Sequence, residues 1–493
     1  MSLYKTILFS FCFSFLVADL YQGHMLYTPG GGGGSNTTYY KDWNGNTINT
    51  WAHSTGPASM PYFFPSPEGG VENALLYYPC RSSNPTMETG GVGGRVDIIT
   101  WDGDILYRYN ISSTLNQHHH DITILPNGNF IVIAWERLYA ADWQALGRTS
   151  VNNNLDQMWA TAFYEIQPTL DGRTESIDQF DAVVWEWHLI DHLVQDVNSS
   201  LDNYGVVSEH PELLDVNRGN VGSNGGPGGQ VNGDWIHVNA LDYNADLDQL
   251  VFSSRHLSEI FIIDHSTTTE EAAGHTGGNY GKGGDFLYRW GQPENYDRGD
   301  SNDNILGDQH SVNWIPEGYP GAGNLILFNN YHSGQTAAVL EIETPIQDDG
   351  SYELLGNNPY GPNSWSWIYD TNISSNMQGG AFRLPNGNTF ITEAEDARII
   401  EVTSSGNIEY DYSWPGNTTM IARAMKYAPE FFDSQYMLGD VNGDETIDIL
   451  DVVICVNIVL GSADSNPAAD MNSDGIVNVL DIILIINTIL GIG

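Results

Sequence analysis

Cysteine is almost absent: the 493 residues hold three, at Cys12, Cys80 and Cys455. Cys12 falls in an apolar leader and the other two lie far apart, which excludes a disulfide framework. Neither has a histidine nearby in sequence to activate a thiolate. Basic residues are scarce too, 17 Lys and Arg against 62 Asp and Glu, for a formal net charge of −45. Such a surface repels nucleic acid and anionic membranes and attracts divalent cations. Hydrophobic runs of membrane-spanning length are missing. The apolar stretch 7–17 follows Lys5, precedes the small Ala18 and is too short to span comfortably; it reads as a cleaved signal peptide over residues 1–20. The expectation is an exported protein without a membrane span, secreted, periplasmic or at the cell surface.

Glycine, at 53 residues, and aromatics, at 12%, are plentiful among short alternating apolar runs. These signals predict an all-β domain. An approximate repeat runs from residue 22 to about 430. Units start near Met60, His118, His237, Gln309 and Gln378, and Trp- or Tyr-rich outer strands end near Trp51, Tyr109, Trp187, Trp290, Tyr369 and Trp414. The sixth unit is split, with 422–427 as its inner strand and the N-terminal segment through Trp51 as its outer strands. Joining the chain ends in this way leaves no open sheet edge. A six-bladed β-propeller over 21–430 follows. An insertion at 137–157 and a Gly- and Asn-rich connection at 189–234 interrupt the repeat; long loops of this kind commonly form lids or substrate walls.

After Pro429 the pattern changes. Asp440, Asn442, Asp444, Thr446, Asp448 and Asp451 align, thirty residues apart, with Asp470, Asn472, Asp474, Ile476, Asn478 and Asp481. Oxygen-bearing side chains at positions 1, 3, 5, 9 and 12 of a loop suit calcium, with position 7 offering its backbone carbonyl. Each loop runs into an apolar helical stretch. Residues 438–493 therefore predict a small α-helical calcium-binding domain of paired loop-helix units. They resemble a type I dockerin module, although Glu445 stands where glycine is expected. The resemblance implies a cohesin-like partner facing Ile449, Leu450, Val479 and Leu480. These are more apolar than a typical recognition pair, so docking within the chain or on another surface-anchoring module stays open.

Three of the repeat starts carry histidine at a corresponding place: 118–120, His237 and His310. Inner strands of a propeller line its central channel, so these rings converge at one mouth. Arg255, ending the second strand of the His237 unit, reaches the same mouth. Side chains alternate along a strand, so His118, His119 and His120 cannot all face the channel; His119 is favoured, with the other two as alternates. Three imidazoles suit a zinc-like ion with an open position. They equally suit a nucleophilic imidazole with neighbours that neutralise a tetrahedral oxyanion. A guanidinium fits sulfuryl or phosphoryl oxygens and is repelled by a metal, which favours oxyanion transfer.

The motifs His119-His120-Asp121 with Leu125-Pro126-Asn127-Gly128-Asn129, Trp235-Ile236-His237-Val238-Asn239 with Ser253-Ser254-Arg255-His256, Asp308-Gln309-His310, and 383–389 resemble those of bacterial arylsulfate sulfotransferases. The resemblance implies a six-bladed enzyme that moves a sulfuryl group from a phenolic sulfate ester to a phenol acceptor, with no nucleotide cofactor. It implies His310 as the nucleophile that becomes sulfated. His237, Arg255 and His119 would bind the sulfuryl oxygens, with His120 and Thr392 as further substrate contacts. The extra N-terminal β-domain and paired cysteines of the best-known enterobacterial type have no counterpart here, so a dimer through that domain is not expected. The competing expectations are a non-catalytic surface or carbohydrate-binding propeller and a metal-dependent hydrolase built on the histidine cluster.

Overall fold

The computed structural model describes residues 20–30, 36–179, 181–226, 229–333, 336–416, 420–433, 438–443, 446–463, 466–472 and 476–490. The expected signal peptide, but for its last residue, lies outside the described residues. Six sheets form the blades of a β-propeller. Their innermost strands are Tyr62–Phe64, Asn116–Ile124, Val238–Asn244, His310–Trp314, Gly380–Arg383 and Met420–Tyr427. Strands inside a blade are covered on both faces by neighbouring blades and carry apolar runs, as at 130–135 in Phe130–Leu138 and 260–263 in Glu259–Asp264. The outermost strand Ile408–Ser413 has no such cover and is half-buried to exposed throughout.

The closing blade is split as the repeat predicts. Met420–Tyr427 pairs antiparallel with His24–Gly30, and Thr37–Lys41 and Thr47–Ala52 complete the sheet. Leu26, Tyr40, Phe63, Tyr427 and Phe432 pack into one buried cluster across the closure. A buried ion pair adds a second tie. The Arg423 guanidinium donates to Asp121 Oδ2 at 2.5 Å and to the Asn239 carbonyl at 2.6 Å. Tyr62 donates to the other Asp121 oxygen at 2.5 Å. Four inner strands are thereby joined across the channel. Buried charge survives only when paired and hydrogen-bonded, and here it is both.

Two features depart from a plain repeat. The blade that starts at Tyr62 gains a fifth strand, Arg173–Ser176, parallel to Ile105–Asn110. The connection 189–234 folds onto the propeller, with Leu193–Val194 pairing Leu214–Asp215. Buried Arg148, from the 137–157 insertion, donates to the carbonyls of Val216 at 2.8 Å and Gly219 at 2.7 Å. The two interruptions thus satisfy each other's polar groups.

In the C-terminal region, helices Ile449–Val459 and Val479–Leu490 pack around Val441, Val452, Cys455, Ala469 and Ile485. Cys80 and Cys455 are both free and buried. No helix among the described residues is long and apolar enough to cross a membrane.

Candidate active site

Strict alternation fails where the inner strands begin. His120, His237, Ser311 and Gln378 all have left-handed backbone, with φ of 55°, 51°, 61° and 56°. The pairing register slips between His118 and Ile122, between Val238 and Ala240, and between His310 and Asn313. Such bulges re-aim side chains and cluster near functional sites. They turn His120, His237 and His310 toward one cavity of about 490 Å³, shared with Arg255, His256, Asp308 and Gln378. The connection forms a wall of it through Asn220, Gly222, Asn232 and Asp234. Gly91 closes another side, and a Cβ there would sit 1.8 Å from the His120 ring. No larger residue fits.

The placement of the histidine triplet differs from expectation. His120 lines the cavity, while the favoured His119 lies behind it, fully buried and stacked on Trp135 with ring centroids 4.0 Å apart. The left-handed turn at His120 adds a residue to the strand and reverses which ring points inward. His119 still touches the site through its Nδ1, 3.1 Å from His120 Nδ1. His118 faces away and accepts the Gly94 N–H at 3.0 Å. Thr392 is not at the cavity: its hydroxyl accepts the Ala424 N–H at 3.1 Å between two blades, with no exposure.

His310 has a determined tautomer. Asn330 donates both amide hydrogens to backbone carbonyls, of Ser375 at 2.8 Å and Gln378 at 2.9 Å. Its Oδ1 therefore faces His310 Nδ1 at 2.7 Å and accepts a hydrogen from it. The lone pair falls on Nε2, which meets the Gln378 N–H at 3.2 Å. Burial holds the His310 imidazole well below the ordinary histidine range, so the ring is neutral and Nε2 is a free base. Burial does the same to His119 and His120.

His237 is oriented from behind. Its Nδ1 bonds Asp234 Oδ2, while Asp234 Oδ1 accepts the Trp135 indole N–H at 2.9 Å. Despite complete burial, His237 and its hydrogen bond keep Asp234 ionised, well below the usual carboxylate range. The second ring nitrogen of His237 is left for the cavity side. Arg255 is part-exposed and donates to Asp308 Oδ2 at 2.5 Å, which fixes the guanidinium plane at the rim. Sequence reasoning missed Asp234, Asn330 and Gln378 as site residues. Asp234 and Asn330 bear on the cavity only through the folds of the connection and of the His310 hairpin. Asp308 and His256 stood inside quoted motifs without a role.

In each C-terminal loop the last predicted ligand is held by backbone hydrogen bonds from its own loop. Asp451, without exposure, accepts the backbone N–H of Val441, Asn442 and Asp448 at 2.7, 3.0 and 2.8 Å. Asp481 repeats this with Asn472 and Asn478 at 3.4 and 2.8 Å. The last ligand position of each loop is thus fixed against the loop's start. Asp440, Thr446, Asp448, Asp470, Ile476 and Asn478 are among the described residues, whereas Asp444, Glu445 and Asp474 lie outside them. The donor set is all oxygen and fits a hard cation such as calcium.

Comparison with known proteins bears on both regions. Residues 166–343 match the family model of arylsulfotransferase (ASST), and residues 438–490 match that of the type I dockerin domain. His237, Arg255, Asp308, His310 and Asn330 fall inside the first match; His120 and Gln378 fall outside. No curated protein matches the chain. Among solved structures, a Bacteroides caccae protein of unknown function aligns at 10% identity and TM-score 0.42, over 82% of this chain and 98% of that one. A periplasmic gluconolactonase of Pseudomonas aeruginosa aligns at 10% identity and TM-score 0.38, over 82% and 99%. Virginiamycin B lyase of Staphylococcus aureus aligns at 12% identity and TM-score 0.34, over 80% and 86%.

Proposed function

We propose that this chain is an exported aryl sulfotransferase that carries a sulfuryl group on His310, from a phenolic sulfate ester to a phenol, without a nucleotide donor. The observation that carries the reading is the His310 tautomer held by Asn330, which leaves a neutral Nε2 beside Arg255 and His237. In the first step Nε2 attacks sulfur, an N–S bond forms and the S–O bond to the aryl group breaks. The departing phenolate takes a proton from the cavity-side nitrogen of His237, whose Nδ1 stays on Asp234. While the N–S bond lasts the His310 ring is cationic, and Asn330 Oδ1 keeps its Nδ1 hydrogen. In the second step an acceptor phenol gives its proton to His237 and its oxygen attacks sulfur, which releases Nε2. Arg255 and His120 face the sulfuryl oxygens throughout. The Gln378 N–H that rests on Nε2 becomes available to one of them.

The calcium-loaded tail, 438–493, folds as a unit separate from the propeller at 21–430. It attaches the enzyme to a cohesin-like partner through Ile449, Leu450, Val479 and Leu480, which are 64%, 54%, 58% and 58% exposed.

The decisive measurement is intact mass after brief exposure to p-nitrophenyl sulfate at neutral pH. One added sulfuryl group mapping to His310 is expected, and His310→Ala should lose the adduct together with about 1,000-fold or more in transfer rate. Near-normal transfer by His310→Ala would overturn the mechanism. A second reading rests on Asp234, His237 and His256, whose ligand atoms lie within 4.8 Å of one another and could hold a metal for hydrolysis. It predicts phenol release with no adduct. No adduct and no release would leave a binding propeller.

A further inference from the structure

A second histidine cluster lies outside the cavity described above. His192, in the connection, is fully buried and stacked parallel to Trp187, with ring centroids 5.3 Å apart. Its Nε2 is 2.8 Å from the Ala272 carbonyl. A carbonyl only accepts, so Nε2 carries hydrogen. Its Nδ1 is 2.8 Å from Asp285 Oδ1, and the same oxygen is 2.8 Å from Nδ1 of His275. With Nε2 protonated, the His192 Nδ1 lone pair faces a carboxylate oxygen. That contact is repulsive unless a proton or a metal cation sits between the two atoms.

We propose that His192, His275 and Asp285 form a binding site for a divalent transition ion of the zinc class. The three ligand atoms lie within 4.8 Å of one another, and two imidazoles with one carboxylate are a common zinc set. A backbone carbonyl that takes the hydrogen on the far nitrogen of a ligating histidine is the usual support for such a ring; Ala272 supplies it. Around an ion with bonds of ~2.1 Å, ligand atoms sit roughly 3.3 Å apart, so the 2.8 Å separations need to open only slightly. His275 is the ligand free to move, at 60% side-chain exposure on the glycine-rich segment 274–284. The ion would clip this segment to the connection.

The fourth position would be open. His275 and Asp285 line a cavity of about 790 Å³, larger than the candidate active site and sharing no residue with it. Asp191, His210, Glu212 and Lys282 line it too. Water or a small anionic ligand would complete the coordination sphere from that side. The proposal is independent of sulfuryl transfer.

The test is a Co²⁺ titration of the full chain with Ca²⁺ in excess, so that the C-terminal loops are filled. One equivalent of Co²⁺ should give the visible absorption of a four-coordinate nitrogen and oxygen site, and Zn²⁺ should abolish it. His275→Ala, at an exposed position, should fold normally and weaken binding by more than ~100-fold. His237→Ala, at the other cluster, should leave the titration unchanged. The proposal is overturned if no Co²⁺ binds with Ca²⁺ saturating. It is equally overturned if the absorption survives His275→Ala, or disappears with His237→Ala and not with His275→Ala.

Discussion

The propeller mouth and the C-terminal loops are two polar sites built in opposite ways. Each oxygen-rich C-terminal loop draws its candidate ligands from twelve consecutive residues, and its last carboxylate, Asp451 or Asp481, is buried against its own loop. The propeller mouth draws His120, His237, His310 and Gln378 from four blades. The loops are rich in carboxylate oxygens; at the mouth, burial keeps the His120 and His310 imidazoles from charging. A local site forms when its segment folds. A site assembled from blades exists only once the ring has closed.

The sharpest way to separate the two is chelation. Removing Ca²⁺ should unfold the two C-terminal helices completely and leave the propeller and its transfer activity intact. Residues 438–493 contain no Trp, Tyr or Phe, so the near-ultraviolet circular dichroism reports the propeller alone and should not change. A loss there would show that the regions are not independent.

Next in size is the closure. Arg423→Met leaves Asp121 buried without its cation, which costs about 3–5 kcal/mol. Urea unfolding followed by tryptophan fluorescence should show the loss, with helix melting on chelation unaltered. A cost below ~1 kcal/mol would mean that strand pairing alone closes the ring. A smaller effect is expected from Asn330→Leu, which removes the group that holds the His310 tautomer. Transfer rate should fall on the order of 100-fold, with the fold and calcium affinity unchanged. Rates near the parent value would mean that burial alone sets the tautomer.

A graded effect, spread over several pH units, is on acid stability. Burial lowers the His118 imidazole from 6.5 to about 3 in the folded protein, and His119, His120 and His310 move the same way. Below pH 6.5 the unfolded chain binds protons that the folded one refuses, so stability must fall as pH drops. For His118 this loss runs from pH 6.5 down to about 3. His188 has the opposite sign. Burial pulls it down, but the hydrogen bond to Glu136 and the adjacent Glu186 carboxylate outweigh this and raise it to about 10. Its contribution is complete below pH 6.5 and is lost as pH rises to about 10. Urea midpoints of the calcium-loaded protein should therefore peak between these limits, and His188→Gln should flatten the alkaline side only.

Much of this was legible in the sequence. Six repeat endings, a split sixth unit and two oxygen-rich loops are patterns in residue order. Strand alternation, aromatic strand ends and twelve-residue loops all act between near neighbours. The blade count, the closing strand and the place of the oxygen-rich loops follow from such local rules, and so does the convergence of His237 and His310. Only the tertiary structure decided which ring of 118–120 enters the cavity, because one left-handed residue at His120 overrides the two-residue period. Only it could turn Asn330, across its own hairpin, onto His310 and Asp234, three residues away, onto His237, or bring Arg423 to Asp121 across 302 residues. The first two contacts depend on local backbone turns that strand alternation does not specify, and the third on how the blades close into a ring.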